Sequence, residues 1–249
     1  MKLTRLQKER YNRQLILSDV GDKGQKKLLS SKVLIIGCGG LGSSCAYYLT
    51  SSGVGNIGLV DPGNVELNNL QRQILYSTND IGKPKVISAK KKLNKLNPDV
   101  KIDIYQLKVT VENVLKILKG YDIIVDCSDN LETRFIVNDA CVFLSKPLVH
   151  AAVLRFSGQA MTIIPHKGPC YRCIFSTLLL ENEEFSCHTV GILSTVAGLF
   201  GIIQATEVIK LILDIGEPLV GKMLVFSAID MSFKEIKVKK NPCCPVCGK

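Results

Sequence analysis

No apolar run in this sequence is long enough to cross a bilayer. The longest, "TVGILSTVAGLFGII" from Thr189 to Ile203, is short and broken by glycines, so it reads as a buried helix. An apolar stretch behind the first residues is also missing. "MKLTRLQKERYNRQ" is charged throughout, which excludes a secretion signal and makes a cytoplasmic location the expectation. There is no nucleic-acid recognition motif, no internal repeat and no low-complexity segment, so neither nucleic acid nor a membrane is expected as a partner. Histidine is scarce: only His150, His166 and His188 occur, and none is assigned a catalytic role. His150 reads as a strand or core residue.

What is present is an ordinary folded composition. The 249 residues are 46% hydrophobic and 22% charged, which argues against disorder. A net charge of +10 comes from lysines in several segments, clustered at Lys90, Lys91, Lys92 and Lys95, and suits anionic ligands or an acidic protein partner. Strand and helix patterns alternate from "KVLIIG" through "NIGLVD", "VKIDIYQL" and "YDIIVDCSDN" to "KPLVHAAV". The fold class expected is α/β, a Rossmann-like, doubly wound and mainly parallel sheet. Past about residue 153 the pattern changes to "GQAMTIIP", a long apolar helix (189–213) and two late strands, "KMLVFSAID" and "FKEIKVKK", which add antiparallel strands at the C-terminal end. Thr4 and Gln7 stand at capping-box spacing before a helix to about Leu17. Pro84 is placed to open a later helix. No linker divides the chain, so residues 1–249 are expected to form one domain: a helical arm (1–30), a nucleotide-binding half (31–152) and a second half (153–249).

"GCGGLG" puts Gly37, Gly39 and Gly42 at G-x-G-x-x-G spacing between a strand and a helix, with Gly40 inside the turn. The first glycine allows a tight turn, the second lets phosphate approach the backbone, and the third lets helix and strand pack closely. Asp61 ends the next strand, where a ribose hydroxyl would be held. These features point to a nucleotide and leave NAD and ATP both open. Ten cysteines in a chain without a secretion signal are not expected to form disulfides. Cys170 and Cys173 in "CYRC", with Cys244 and Cys247 in "CPVC", make two C-x-x-C pairs, the pattern of a closed, structural zinc site. Cys38, Cys45, Cys127 and Cys141 lie in apolar positions and read as core.

The glycine loop, "NLQRQ", "IGKPK", "DCSDN", "GPCYRC", "QATEVIKL" and "CPVCG" occur in one order. Together they resemble the MoeB/ThiF/HesA family, bacterial relatives of ubiquitin-activating enzymes, from about Arg10 to Gly248. The resemblance implies an ATP-dependent adenylyltransferase. Its substrate would be the C-terminal Gly-Gly carboxylate of a ubiquitin-like sulfur-carrier protein, MoaD-like or ThiS-like, in molybdopterin or thiamine biosynthesis. It further implies that Arg72 and Lys85 meet the phosphates, Asp129 handles Mg²⁺, Asn130 and Asp61 meet the nucleotide, and Asn69 and Gln71 belong to the loop over it. Arg13 would be supplied across a homodimer. Cys187 aligns with a cysteine some members use for a covalent link to the carrier. A separate sulfurtransferase is the expected sulfur source. Gly63, Asn68 and the proline-poor segment after "CYRC" depart from the family pattern. The readings set aside are a nicotinamide-dependent oxidoreductase, which the glycine loop alone would permit, and a non-catalytic relative.

Overall fold

A computed structural model describes residues 2–175 and 190–248. Cys187 and His188 lie outside the described residues. The chain opens with α1 (Arg5–Arg10), whose first turn is closed by the expected box: the Thr4 hydroxyl accepts from the Gln7 N–H, and the Gln7 side chain accepts from the Thr4 N–H. The helix expected to run to Leu17 instead breaks at Tyr11, and α2 (Asn12–Leu15) follows. The cause is tertiary. Tyr11 is buried against Gly53, where a methyl group would come within 2.6 Å of its ring, and its hydroxyl accepts from Asn97 Nδ2 at 2.8 Å.

Helix α3 (Gly21–Ser30) leads into β1 (Lys32–Ile36), α4 (Gly40–Ser51) and β2 (Asn56–Val60). Pro84 caps α5 (Lys85–Leu96), as its fixed φ favours. Then come β3 (Lys101–Tyr105), α6 (Val114–Leu118), β4 (Ile123–Asp126), α7 (Leu131–Phe143), β5 (Leu148–Leu154) and β6 (Ser157–Ile163). Helix α8 (Ser194–Leu213) and strands β7 (Lys222–Ser227) and β8 (Ser232–Lys237) complete the order.

One sheet of eight strands runs β3-β2-β1-β4-β5-β6-β7-β8. The pairings from β3 to β5 are parallel, and those from β5 to β8 are antiparallel. The strands of the parallel part are apolar on both faces because both are covered. Val33 and Ile35 face the layer of α4, α5 and α8, whereas Leu34 and Ile36 face α6 and α7.

Helix α8 corrects one expectation. Its length of 20 residues is enough, by length and composition, to span a membrane, so a shortness argument fails. Its packing supports the buried-helix reading: Phe200, Gly201, Gln204 and Ala205 are buried, and Gly201 presses on α4, where a methyl group would stand 2.2 Å from the Leu41 carbonyl. The helix also begins later than expected. Ile192 instead makes an isolated bridge to Arg155.

The chain moves from β1 outward to β3, then returns to β4 on the other side of β1. That switch opens a crevice beyond the C-terminal ends of β1 and β4, the position where doubly wound sheets bind ligands.

Candidate nucleotide site

The crevice is a cleft of about 290 Å³. Its floor is the glycine turn, and each glycine has a separate reason to be there. Gly37 has φ +93°, and a methyl group there would stand 2.6 Å from the Cys127 carbonyl. Gly42 lies against β1, where a methyl group would sit 2.0 Å from the Gly37 carbonyl. Gly39 is different: a methyl group there meets only Gln73 Nε2, at 3.8 Å, and otherwise projects into the cleft. Gly39→Ala is therefore expected to keep thermal stability within about 0.5 kcal/mol while weakening nucleotide binding roughly tenfold or more, because it fills the space a phosphate would enter. Differential scanning fluorimetry and calorimetric titration with ATP read the two effects.

Asp61 ends β2 as a buried carboxylate. Its Oδ2 accepts from the Cys38 N–H and its Oδ1 from the Gly63 N–H, both at 2.8 Å. Those bonds use two of about four acceptor positions and leave capacity toward the cleft. The glycine standing at position 63 thus supplies a backbone donor that fixes the Asp61 side chain.

Two cations face this wall. Lys85, the first residue of α5, brings its Nζ to 3.8 Å from the point where a Gly63 methyl would lie. Arg72 packs its stem on Gly40, and its Nη1 donates to the Asn68 carbonyl at 3.0 Å. Asp129 and Asn130, in the loop after β4, close the opposite side.

The structure brings Gly37, Gly39, Gly40, Asp61, Arg72, Lys85, Asp129 and Asn130 to one cleft. Asn130 also caps α7, accepting from the Thr133 N–H at 2.8 Å. Asn69, Gln71, Gly42 and Arg13 are not among the lining residues. Asn69 turns inward to cap the short helical turn Leu67–Asn69, Gln71 is exposed, and Arg13 stands exposed on α2. The lining residues that went unassigned in the sequence include Gln73, Lys108 and Arg134. Gln73 is buried with its Oε1 unpartnered among the described residues. Arg134 carried a readable signal, because it stands four residues after Asn130 on α7 and so shares its face.

His150 is the buried strand residue expected, on β5. Its Nδ1 is paired with Asp126 Oδ2 at 2.8 Å. Burial pushes the imidazole pKa down and keeps the ring neutral, so it donates to the carboxylate. Burial opposes ionisation of Asp126 too, but the bond from His150, the Arg134 charge and the Ser128 hydroxyl outweigh it and hold the carboxyl below its usual range.

On the α7 side of the sheet the sulfurs of Cys170, Cys173, Cys244 and Cys247 all lie within 4.8 Å of one another. Cys170 Sγ is 3.6 Å from Cys244 Sγ, and Cys173 Sγ is 3.3 Å from Cys247 Sγ. Burial alone would raise the Cys244 pKa, but the N–H groups of Cys247 and Val246 and the neighbouring thiols lower it to about 7. Four thiols in this arrangement fit a metal with tetrahedral sulfur coordination and leave no open position.

A glycine turn facing two cations at the crossover of a parallel sheet is how a Rossmann-like protein receives a nucleotide. Comparison with known proteins narrows that class. The ThiF family matches residues 11–246, and the chain belongs to it. It is 43% identical over 253 residues to the sulfur carrier protein adenylyltransferase of Thermus thermophilus, spanning 100% of this chain and 93% of the relative. It is 44% identical to the SAMP-activating enzyme E1 of Haloferax volcanii, spanning 100% of this chain and 92% of that protein. The crystal structure of E. coli MccB with MccA-N7isoASN superposes with a TM-score of 0.87 at 27% identity, covering 97% of this chain and 75% of that one.

Proposed function

We propose that this protein adenylylates the C-terminal carboxylate of a ubiquitin-like sulfur-carrier protein, using ATP and releasing pyrophosphate, in the cytoplasm. The observation that carries the reading is the convergence of Arg72, Lys85 and Asp129 on the glycine-floored cleft. The names of the Thermus and Haloferax relatives support the substrate class.

The attacking carboxylate is already ionised at neutral pH, so no general base is required, in keeping with a chain of three histidines. Its oxygen bonds to the α-phosphorus as the bond to pyrophosphate breaks, giving the acyl adenylate. Two anions must approach each other, and charge grows on the leaving pyrophosphate. Fixed positive charge at Arg72 and Lys85 offsets both, and the turn at Gly37–Gly39 holds the phosphates in place. Asp129 would hold Mg²⁺, which when bound adds further positive charge at the phosphates. Cys170, Cys173, Cys244 and Cys247 would hold a structural Zn²⁺.

A nicotinamide cofactor would leave Arg72, Lys85 and Asp129 without a task. Arg13 is exposed and does not line its own cleft, which supports a homodimer in which it completes the neighbouring site. Arg13→Ala is expected to be inactive alone. It should recover activity in mixed dimers with Asp129→Ala subunits, and absence of recovery would defeat the exchange of this arginine between subunits. Cys187 is proposed as a covalent attachment point for the carrier.

The direct test is ATP–pyrophosphate exchange by the purified protein with Mg²⁺ and a MoaD-like carrier, a ThiS-like carrier or neither. Stimulation by one carrier establishes the reaction and assigns molybdopterin or thiamine biosynthesis. Silence with both, from protein that binds ATP, overturns the carrier reading.

A further inference from the structure

Cys38, the residue inside the glycine turn, is tied to side chains at both of its backbone groups. Its N–H donates to Asp61 Oδ2 at 2.8 Å, and its carbonyl accepts from the Tyr76 hydroxyl at 2.9 Å. Asp61 belongs to the cleft, but Tyr76 does not line it. Tyr76 reaches the turn from below: it is 6% exposed and lies in the apolar layer of α4, α5 and α8. Burial pushes its pKa up, so the hydroxyl keeps its proton and donates.

The Tyr76 bond decides which way the next amide faces. In a trans peptide the carbonyl and the N–H point in opposite directions. A Cys38 carbonyl drawn to Tyr76 therefore turns the Gly39 N–H away from the apolar layer, toward the cleft that Gly39 lines. That N–H has no partner among the described residues, which leaves it for an anion. The same peptide has a second setting. A half-turn would carry Gly39 φ from −78° to positive values, which glycine accepts without steric cost, and would aim the Cys38 carbonyl at the phosphates instead.

The loop that carries Tyr76 also backs the following residues of the turn. The Tyr76 N–H donates to the Gln73 carbonyl at 3.0 Å. Gln73 Nε2 lies 3.8 Å from the point where a methyl on Gly39 would stand, and Arg72 packs its stem on Gly40.

We infer that Tyr76 is a positioning residue for the nucleotide's phosphates: its hydroxyl holds the peptide between Cys38 and Gly39 in the setting that presents the Gly39 N–H to them. The inference rests on the reading of the cleft as an ATP site.

Tyr76→Phe removes the hydroxyl and keeps the ring in the core. Its Kd for ATP is expected to rise about tenfold, the loss of one hydrogen bond to a charged group. Its Kd for adenosine, which carries no phosphate, should stay that of the wild type. The melting temperature should fall, because the Cys38 carbonyl loses its partner, so stability alone decides nothing. Leu93→Val supplies the comparison: it opens a gap in the same apolar layer and should also melt lower, yet keep the wild-type ratio of ATP to adenosine affinity. In protein labelled with ¹⁵N-glycine, the Gly39 amide is expected as one sharp resonance in the wild type. In Tyr76→Phe it should be doubled or broadened by exchange between the two settings.

Equal ATP affinity in Tyr76→Phe and wild type, an equal loss of ATP and adenosine affinity, or an unchanged Gly39 resonance overturns the inference. Wild-type protein that binds ATP and differs from the variant as stated, yet supports no carrier-dependent exchange, would defeat the adenylylation reading and leave the positioning role standing. Wild-type protein that binds neither ATP nor adenosine would defeat both.

Discussion

Asp129→Ala is expected to lower carrier-dependent pyrophosphate exchange by about a thousandfold, in the range of removing a central electrostatic group from an active site, while the protein melts as the wild type does. The separation follows from how the loop is built. Its course is set by neighbours: Asp126 holds Ser128, Arg134 holds the Ser128 carbonyl, and Asn130 caps α7. The Asp129 carboxylate is exposed at the cleft, so its removal falls among surface changes that shift stability by about 0.5 kcal/mol. Asp126→Ala, three residues earlier, makes the contrasting control. That carboxylate is buried, and its loss strands the His150 Nδ1–H and both Ser128 donors, a cost of about 3 kcal/mol or more. Exchange assays and thermal melts on the pair therefore separate chemistry from folding. Undiminished exchange in Asp129→Ala would remove the magnesium assignment.

Much of the site was legible because its signals are local. Gly37, Gly39 and Gly42 announce a strand–turn–helix by spacing alone, and Pro84 marks the start of α5 for the same reason. The C-x-x-C pairs needed only their own spacing to be read as one cluster. Tyr11 shows where such reading ends. Nothing in "RLQKERYNRQL" breaks a helix, yet burial of its ring against Gly53 does. Asn69 is a different case. Its neighbours suggest a ligand-facing loop, but Glu66 and Asn69 at i, i+3 form a cap, and the backbone turns its amide inward. Lys108 reaches the cleft only through the packing of distant elements, which no periodicity records, whereas Gln73 enters it beside Arg72 from the same loop. The first cap of the arm, the cleft loop and the metal knuckle are thus each specified locally. Their mutual placement depends on buried polar side chains such as Asn97, Asp126 and Asn138.

Removing the metal, or changing Cys244 to serine, is expected to lower the melting temperature by roughly 8–16 °C. The cluster closes the chain between the turn after β6 and the tail after β8, and the structure gives that tail few other attachments. The Asn241 N–H points at Cys173 Sγ at 3.4 Å, and the Gly248 N–H closes a turn on the Cys244 carbonyl at 2.9 Å, so the tail is folded around the sulfurs themselves. Cys170, Cys244 and Cys247 are also buried in the same apolar layer as Phe135, Met161 and Tyr171. Without metal, the four clustered sulfurs lose their common centre in that layer. A crosslink closing a loop of this length is worth about 4 kcal/mol, which for a chain of this size gives the stated fall. Acid should have the same effect as a chelator, because each ligand must be a thiolate to bind and protonation releases the metal. Elemental analysis should find one Zn²⁺ per chain. Limited proteolysis of the metal-free protein should cut first after β8, with the parallel strands protected. Metal-free protein that melts with the wild type, its tail still resistant, would show that apolar packing of the cysteines suffices and that the cluster is not a structural clip.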